Sequence, residues 1–285
     1  MSSSRADDAE GPAALPEDLA DALAAVRPRL GCLGSSIIYC PSAGSTNDVA
    51  ARLATNTACE GAVVIAGRQT AGRGRRGRGW FSPPGGGLYV SVVLRPGRSP
   101  HGGLRAAGLL TLAAGVALAE AVATATGLSA DLKWPNDLYV ARRKLAGVLA
   151  EAAPRLGSGQ AGGGAPEIVL GYGINVGPMA FPPELHDRAT SIESELGREV
   201  DRAVLLAESL ASLARRYGDL LDGRFDAILD AWRARAPAAS GARVTWAAAS
   251  GAASGTTAGI DEEGALLVRV GDRIERVVAG EVQWL

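Results

Sequence analysis

Lysine is scarce in this chain. Among 29 basic residues in a sequence of 285, only Lys133 and Lys144 are lysines, and the rest are arginines. Asparagine and glutamine are rare as well, with four and three copies. In a composition biased so strongly against these side chains, the copies that persist are candidates for functional positions. Three of the four asparagines, Asn47, Asn136 and Asn175, lie in the motifs described below.

Cysteine, histidine and net charge are low too. The three cysteines have no CxxC spacing, which argues against a disulfide scaffold or a zinc knuckle and favours a reducing cytoplasm. His101 and His186 have no cysteine or histidine at ligand spacing, so they predict no metal site. A net charge of −1 excludes a bulk polyanion binder of the histone type.

Long uninterrupted apolar runs are also missing. The longest apolar segment, residues 104–128, contains Arg105 and Glu120, which is typical of a buried core helix and not of a membrane span. The first residues are polar and acidic, unlike a signal peptide. At 47% hydrophobic residues the chain is not disordered. We therefore expect a folded protein that does not associate with membranes.

The sequence pattern predicts three regions. Residues 1–35 are expected to form a disordered leader (1–14) and a short helix that begins at Pro16-Glu17-Asp18. Residues 36–237 predict an α+β domain, and residues 238–285, with short β segments and Gly turns, predict a small β-barrel. An exposed hairpin loop is expected at 155–166. Predicted strands cover 36–39, 61–66, 87–94, 130–134, 144–151, 167–175, 243–246, 256–260, 265–270, 274–278 and 282–285. Predicted helices cover 46–54, 104–126, 201–221 and 227–236.

A loop of arginines and glycines, residues 67–80, joins two predicted strands and ends at Trp80. Glycine allows the backbone to approach a ligand closely, and arginine forks suit phosphate and carboxylate. The loop therefore predicts an anion-binding cradle, although it lacks the lysine of a P-loop. A solvated basic loop, or an RGG-like contact to nucleic acid, is the alternative on charge alone.

Both lysines lie close together along the chain. Lys133 opens the run Lys-Trp-Pro-Asn-Asp, and Lys144 lies in Arg-Lys-Leu-Ala-Gly. Strand, tight turn and strand predict one hairpin that brings the two lysines onto neighbouring strands. A compact ammonium suits a single oxygen of a carboxylate or phosphate. Two surface lysines on a hairpin are the alternative.

Two weaker motifs complete the set. The run Ser45-Thr46-Asn47 precedes a predicted helix, where helix capping is the simpler explanation. The run from Gly171 to Val176 is a strand end with small residues and one amide, Asn175, which could contact a base or close a turn. A GxSxG nucleophile motif is absent from the sequence, so no Ser/His/Asp triad is predicted.

Taken in order, these motifs resemble biotin–protein ligase over residues 36–285. The residues that carry the resemblance are Ser-Thr-Asn at 45–47, Gln-Thr-Ala-Gly-Arg-Gly-Arg-Arg-Gly at 69–77, Lys-Trp-Pro-Asn-Asp at 133–137, Arg-Lys-Leu-Ala-Gly at 143–147 and Gly-Ile-Asn-Val at 173–176. The chain is most similar to the monofunctional biotin–[acetyl-CoA-carboxylase] ligase type, without a DNA-binding domain. The resemblance implies a mixed β-sheet catalytic domain of the biotin/lipoate ligase type with helices on one face, and a C-terminal SH3-like β-barrel.

The resemblance also implies an activity and a set of roles. It implies ATP-dependent attachment of biotin to a lysine of a biotin carboxyl carrier protein through biotinyl-5′-adenylate, with Mg²⁺ as cofactor. Lys144 and Arg75 would be catalytic. Biotin would be bound by Ser45, Thr46, Asn47, Gln69, Arg73, Gly74, Arg75 and Lys144. ATP and the adenylate would be bound by Arg75, Arg78, Trp80, Lys133, Asn136 and Asn175. Asp137 would contact Mg²⁺.

Three alternatives remain open from the sequence. A lipoate or octanoate ligase or transferase has a related scaffold, but Gln69 and residues 45–47 favour a polar ureido head. An Arg/Gly nucleic-acid-binding module explains the arginine loop and leaves the Lys133–Asp137 run unexplained. A bifunctional ligase–repressor needs a winged-helix domain of about 60 residues, whereas fewer than 45 residues precede Ser45. We therefore expect no specific DNA binding.

Overall fold

The computed structural model of this chain describes residues 11–55, 59–153, 167–178, 181–248 and 251–285. Its first sheet contains β1 (Ile37–Cys40), β2 (Val63–Ala66), β3 (Gly87–Leu94), β4 (Asp131–Lys133), β5 (Asp137–Val140), β6 (Arg143–Ala152) and β7 (Ile168–Asn175). Its second sheet contains β8 (Ser240–Ala248), β9 (Gly251–Ile260), β10 (Leu266–Val270), β11 (Arg273–Val277) and β12 (Val282–Trp284). The helices are α1 (Glu17–Val26), α2 (Thr46–Ala54), α3 (Gly103–Thr126), α4 (Ile192–Leu196), α5 (Arg202–Leu221) and α6 (Phe225–Arg233).

The seven-stranded sheet is mixed, as predicted. Its strand order is β1-β2-β3-β7-β6-β5-β4, with β1 and β2 parallel and the other neighbours antiparallel. The central strands β3 and β7 are buried along their whole length. Buried strands favour apolar or small residues, and every position of both strands has one except Asn175 at the end of β7.

Helices cover both faces of this sheet, but unequally. On one face α1, α3, α5 and α6 share a core with Val63 and Ile65 of β2. On the opposite face α2 packs Ala50 against Val64. Successive residues of a strand point to opposite faces of the sheet. The side chains of β2 therefore alternate between the core under the four helices and the core under α2. The expectation of helices on one face is therefore wrong for α2, and this exception places the N-terminus of α2 at the site described below.

The long apolar segment forms the core helix α3. By length and composition this helix could cross a membrane. However, 72% of its most apolar 18-residue stretch is buried inside the protein. The helix ends where Gly127 adopts a left-handed conformation (φ 80°) and its N–H bonds to Ala123 O. It packs chiefly against α5. Burial against other elements of the chain is what a core helix requires.

Where the sequence predicted a small β-barrel, the C-terminal strands form a five-stranded antiparallel sheet in the order β11-β10-β9-β8-β12. It packs directly on the first domain, since Val268 and Trp246 belong to the same core as α3. Trp134 Nε1 donates to Gly264 O at 2.9 Å across this junction. The second sheet is thus held beside the turn that follows Lys133.

Three local predictions change. Residues 134–142 form two turns around an extra strand, β5, so Lys133 on β4 and Lys144 on β6 are not on neighbouring strands. Ala13 N donates to Tyr39 O at 2.8 Å, so disorder is wrong at that residue, where the edge of β1 offers a backbone acceptor. The five-residue helix α4 was not predicted because it is too short to show a period. Residues 1–10 and the loop predicted at 155–166 lie outside the described residues.

Candidate active site

One cleft is lined by every residue to which the resemblance gives a role. It is a cavity of about 820 Å³ between the start of α2, the Arg/Gly loop, one face of β5, β6 and β7, and the C-terminal strand β12. The predicted residues that line it are Ser45, Thr46, Asn47, Gln69, Arg73, Gly74, Arg75, Arg78, Trp80, Lys133, Asn136, Asp137, Lys144 and Asn175.

The floor of the cleft is made of glycine. Gly171 and Gly173 on β7 point to this face, where a Cβ on Gly171 would lie 2.0 Å from Asn47 Oδ1. A Cβ on Gly173 would lie 2.3 Å from Trp80 Nε1. Any larger side chain at either position would displace these groups. The small residues noted at this strand end are therefore required by the close approach of neighbouring side chains.

Hydroxyl and amide groups gather at the start of α2. Thr46 N and Oγ1 donate to Gln69 Oε1 at 2.9 and 3.1 Å, and Gln69 Nε2 donates to Ser82 Oγ at 2.9 Å. Ser45 is the N-cap residue by position, but its side chain makes no capping hydrogen bond with the described residues. The simple capping explanation therefore fails for Ser45. Thr46 bonds to Gln69 instead, and Ser45 lines the cleft.

Two residues that the sequence did not single out complete this polar end. Ser91, fully buried on β3, has its Oγ 2.8 Å from Thr46 Oγ1 and 2.6 Å from Asn47 Oδ1. Asn47 Nδ2 donates to Glu151 Oε2 at 2.6 Å. The amide of Asn47 is thus held at both ends. A serine in the middle of a fully buried apolar strand was the available signal for Ser91.

The Arg/Gly loop is folded over the cleft. Arg75 Nη1 donates to Asn136 Oδ1 at 3.2 Å, and burial lowers the pKa of Arg75. Arg73 bridges Asp48 and Glu151, each at 2.9 Å. The loop therefore faces the Lys133–Asp137 turn.

The two lysines face the same cleft in different surroundings. Lys144 Nζ lies 2.6 Å from Asp137 Oδ1 and 5.4 Å from the centre of the Trp80 ring. Lys133 Nζ lies near the rings of Tyr139 and Trp284, and burial lowers its pKa. The intervening strand β5 supplies both Asp137 and Tyr139. It thus separates the lysines while giving each a partner.

The two cleft asparagines secure backbone. Asn136 Nδ2 donates to Val148 O at 2.6 Å, and Asn175 Nδ2 donates to Thr190 O at 2.9 Å. Asn136 therefore ties the turn to β6 while presenting its Oδ1 to Arg75. Asn175 ties the end of β7 to the segment before α4.

The cleft is chemically two-sided. One end offers hydroxyl and amide groups above a glycine floor, where Arg73 is neutralised by Asp48 and Glu151. The other end concentrates Arg75, Arg78, Lys133 and Lys144. Such an arrangement suits a ligand with a polar neutral head and an anionic tail, together with a second anion. It can hold a carboxylate and a phosphate chain side by side by neutralising their repulsion.

Comparison with known proteins agrees with this geometry. Family models match residues 39–163 (Biotin/lipoate A/B protein ligase family) and residues 239–284 (Biotin protein ligase C terminal domain). A biotin--[acetyl-CoA-carboxylase] ligase of Mycobacterium tuberculosis is 36% identical over 244 residues, covering 84% of this chain and 85% of the relative. The chain belongs to the biotin protein ligase family. The resemblance inferred from the motifs is therefore confirmed.

Further relatives of this biotin protein ligase extend the comparison. The bifunctional ligase/repressor BirA of Bacillus subtilis is 34% identical over 253 residues, 88% of this chain and 74% of the relative. A solved biotin protein ligase from Aquifex aeolicus, in complex with biotin and ATP, superposes with a TM-score of 0.73 at 29% identity. That match covers 88% of this chain and 99% of the Aquifex chain. The α+β fold with an added C-terminal sheet is thus confirmed, and the protein is a ligase.

Proposed function

We propose that this biotin protein ligase uses ATP to convert biotin to biotinyl-5′-adenylate and then transfers the biotinyl group to a lysine of a carrier protein of a biotin-dependent carboxylase. The observation that carries the proposal is the two-sided cleft. Its polar end suits the ureido ring of biotin. Its cationic end suits the biotin carboxylate and the phosphates of ATP.

Biotin binds at the start of α2 in this proposal. A ureido group has one carbonyl acceptor and two N–H donors, which need several oriented partners. Thr46, Gln69, Ser45 and the buried Ser91 line or support that end of the cleft. Arg73, Gly74 and Arg75 also line the cleft, and the backbone of Arg73 and Arg75 contacts the ureido ring in this proposal. A dithiolane ring has no comparable hydrogen-bonding groups, so the site favours biotin over lipoate.

Activation takes place at the cationic end. A biotin carboxylate oxygen attacks the α-phosphorus of ATP, the bond to the bridging oxygen breaks, and pyrophosphate leaves. Lys144 neutralises the carboxylate and then the acyl phosphate, while Asp137 holds the Lys144 ammonium in position. Arg75 and Arg78 stabilise the phosphates, and Trp80 offers an indole face to the adenine. Asn136 orients Arg75, and Asn175 contacts the nucleotide.

Transfer uses a nucleophile from the partner. The neutral amine of the carrier lysine attacks the acyl carbon of the mixed anhydride, AMP leaves, and an amide bond forms with loss of the amine proton. The ligase therefore needs no covalent nucleophile of its own. Its task is to exclude water from the anhydride, and the folded loop from Arg73 to Trp80 covers the cleft for that purpose.

Mg²⁺ fits this cleft in one way. The described residues contain no group of three His, Cys, Asp or Glu side chains that could hold a metal ion alone. Mg²⁺ is commonly held by one or two carboxylates together with substrate phosphates. The half-buried Asp137 carboxylate would hold it, and the ion would supply further neutralisation of the phosphates. Binding of Mg²⁺ by one carboxylate and the phosphates agrees with the Lys133–Asp137 run, in which Asp137 is the one carboxylate.

The cellular compartment and the domain boundaries belong to the same proposal. The free cysteines Cys32, Cys40 and Cys59 support a reducing compartment, and we propose the cytoplasm. We also propose that residues 36–237 act as the catalytic domain and 238–285 as the C-terminal domain, after a leader and helix at 1–35. The match of the C-terminal family model to residues 239–284 supports the second boundary.

Calorimetric titration tests the ligand assignment. Wild type should bind biotin and should not bind lipoate. Thr46→Val, which keeps the shape of the side chain and removes its hydroxyl, should weaken biotin binding about tenfold. Thr55→Val at the other end of α2, where the hydroxyl bonds only to Arg52 O among the described residues, is the matched control. Preference for lipoate would support the lipoate alternative, and salt-dependent binding of RNA without any biotin binding would support the nucleic-acid alternative.

A further inference from the structure

The C-terminal domain sends an aromatic ring into the cationic end of the cleft. Trp284 is the last residue of β12 and lies in the cleft lining. Its ring packs against that of Tyr139 on β5, with centroids 5.1 Å apart and planes at 59°. This tilted arrangement is favourable for aromatic pairs. The two rings come from different domains and meet beside the phosphate-binding groups of the proposed site.

The ammonium of Lys133 lies against both rings. Lys133 Nζ is 4.6 Å from the Trp284 ring centre and 5.0 Å from the Tyr139 ring centre. Both distances are within the range of a cation–π interaction, which is strongest with Trp and when the cation is desolvated. Burial, which lowers the pKa of Lys133, indicates that this desolvation applies here.

Lys133 and Lys144 are therefore held by different means. Lys144 has a carboxylate partner, Asp137, at 2.6 Å. Among the described residues, Lys133 makes no salt bridge within 4.0 Å. A ring face attracts an ammonium without accepting a conventional hydrogen bond from it. The N–H groups of Lys133 are thus available to phosphate oxygens, while the rings fix the position of the nitrogen.

We propose that Trp284 is a positioning residue for nucleotide binding: together with Tyr139 it holds the Lys133 ammonium where it meets the ATP phosphates. This inference rests on the proposed function and adds a residue of the C-terminal domain to it. The polar end that would bind biotin lies at the start of α2, apart from this aromatic pair. Loss of Trp284 should therefore weaken ATP binding selectively and leave biotin binding unchanged.

Four single variants and one double variant test the proposal. Trp284→Leu removes the ring, and Trp284→Phe keeps an aromatic face. Tyr139→Leu removes the other ring. Ile274→Ala truncates an exposed apolar side chain on β11 of the same sheet and is the matched control. Thermal unfolding of each variant reports whether the C-terminal sheet is intact, and Tyr139→Leu, which lies in the other domain, provides a second test if Trp284→Leu is destabilised.

Two binding affinities are measured separately for each variant, that of biotin and that of an ATP analogue. The analogue has a methylene group between its α- and β-phosphates and therefore cannot release pyrophosphate. Trp284→Leu and Tyr139→Leu should each weaken analogue binding about tenfold, with biotin affinity within twofold of wild type. Trp284→Phe should retain analogue binding within about threefold, and Ile274→Ala should bind both like wild type. The combined Leu variant should lose less than the product of the two single losses, because both act through Lys133.

Three results would overturn the proposal: unchanged analogue binding in Trp284→Leu, an equal loss of analogue and biotin binding, or Phe as damaging as Leu. These outcomes are independent of the proposed reaction. The analogue reports nucleotide binding even if biotin is not the acid that is activated. Failure of wild type to bind biotin would contradict the proposed function instead.

Discussion

Arg78 of the Arg/Gly loop forms a two-pronged ion pair with Glu281 of the C-terminal domain. Arg78 Nη2 lies 2.6 Å from Glu281 Oε2, and Nη1 donates to Oε1 at 2.9 Å. Burial alone would raise the pKa of Glu281, but Arg78 holds it below its usual range. A bidentate pair of this kind fixes orientation as well as distance. The loop that covers the cleft is therefore fastened by the second domain.

Glu281→Gln should loosen the loop with little effect on overall stability. The pair is partly exposed, so its loss should change the free energy of unfolding by less than about 1 kcal/mol. The loop should open more often, and the adenylate should escape several-fold faster. Release of radiolabelled adenylate and labelling of bystander lysines report this escape. Glu263→Gln, which removes an ion pair between the β9–β10 turn and Arg276 in the same domain, should retain the adenylate like wild type. Equal retention in Glu281→Gln would contradict the fastening role.

Gly171→Ala should damage the biotin end of the cleft. The added Cβ would lie 2.0 Å from Asn47 Oδ1, and Asn47 is held by Ser91 and Glu151, so the start of α2 must shift. We expect biotin affinity to fall at least tenfold and stability to fall by about 1 to 3 kcal/mol. Calorimetry and urea unfolding measure the two effects.

The matched control is Gly218→Ala on α5, where a Cβ has no atom within 4 Å. That change should leave biotin binding intact and stabilise the protein by about 0.5 to 1 kcal/mol through helix propensity. Biotin binding by Gly171→Ala at wild-type affinity would show that the floor does not need to be glycine.

Lys144→Ala should stop adenylate formation while the chain stays folded. Removal of the ammonium leaves the carboxylate and the phosphates to repel each other, and Asp137 then adds a third uncompensated negative charge. Loss of one such charge-stabilising group costs about 100- to 1,000-fold in rate. The rate of pyrophosphate release measures adenylate formation in this variant. Arg143→Ala at the preceding position is the control. Arg143 pairs with Glu195, and neither residue lines the cleft. A wild-type rate in Lys144→Ala would contradict the assignment.

Glu120 should make an acid-sensitive contribution to stability. Burial tends to raise the pKa of Glu120, but Arg216, Arg215 and Arg235 lower it overall. Glu120→Gln should cost about 1 to 3 kcal/mol at pH 7, since it removes one of the two carboxylates paired with the buried Arg216 and leaves Asp219 as the other. Because the folded chain depresses this pKa, the contribution is present above the pKa of an unfolded glutamate and is lost as pH falls through the folded value.

Urea unfolding as a function of pH measures this contribution. The difference between wild type and Glu120→Gln should be largest at pH 7 and should shrink below about pH 4. Glu208→Gln, which breaks a more exposed pair with Arg29, should cost less than about 1 kcal/mol. A difference that does not change with pH would count against an ionised Glu120 in the folded chain.

The sequence predicted the parts of this structure that depend on local pattern. The bounds of α2 and β3 match the predictions at 46–54 and 87–94. The start of α2 is marked by Ser45-Thr46-Asn47, and β3 is an apolar run broken only by Ser91. The motif residues also gather in one cleft, as the resemblance implied. The strand β5 was missed because its four residues lie between two turns, and Pro135 and Asp137 obscure its pattern.

The residues that complete the cleft were hidden for a different reason. Ser91, Glu151 and Trp284 act through contacts between elements far apart in the chain, and no local spacing encodes those contacts. Ser91 alone carried a visible signal, as a hydroxyl in an apolar strand. Trp284 lies at the end of the C-terminal sheet, and only the docking of that sheet on the first domain brings it to Lys133.

Pyrophosphate exchange tests the central claim most directly. Labelled pyrophosphate should be incorporated into ATP only when biotin and the ligase are both present, because the exchange requires reversible formation of biotinyl-5′-adenylate. Lipoate should not replace biotin, and Lys144→Ala should lower the rate about 100- to 1,000-fold. Exchange that does not depend on biotin, or that lipoate supports equally well, would contradict the account.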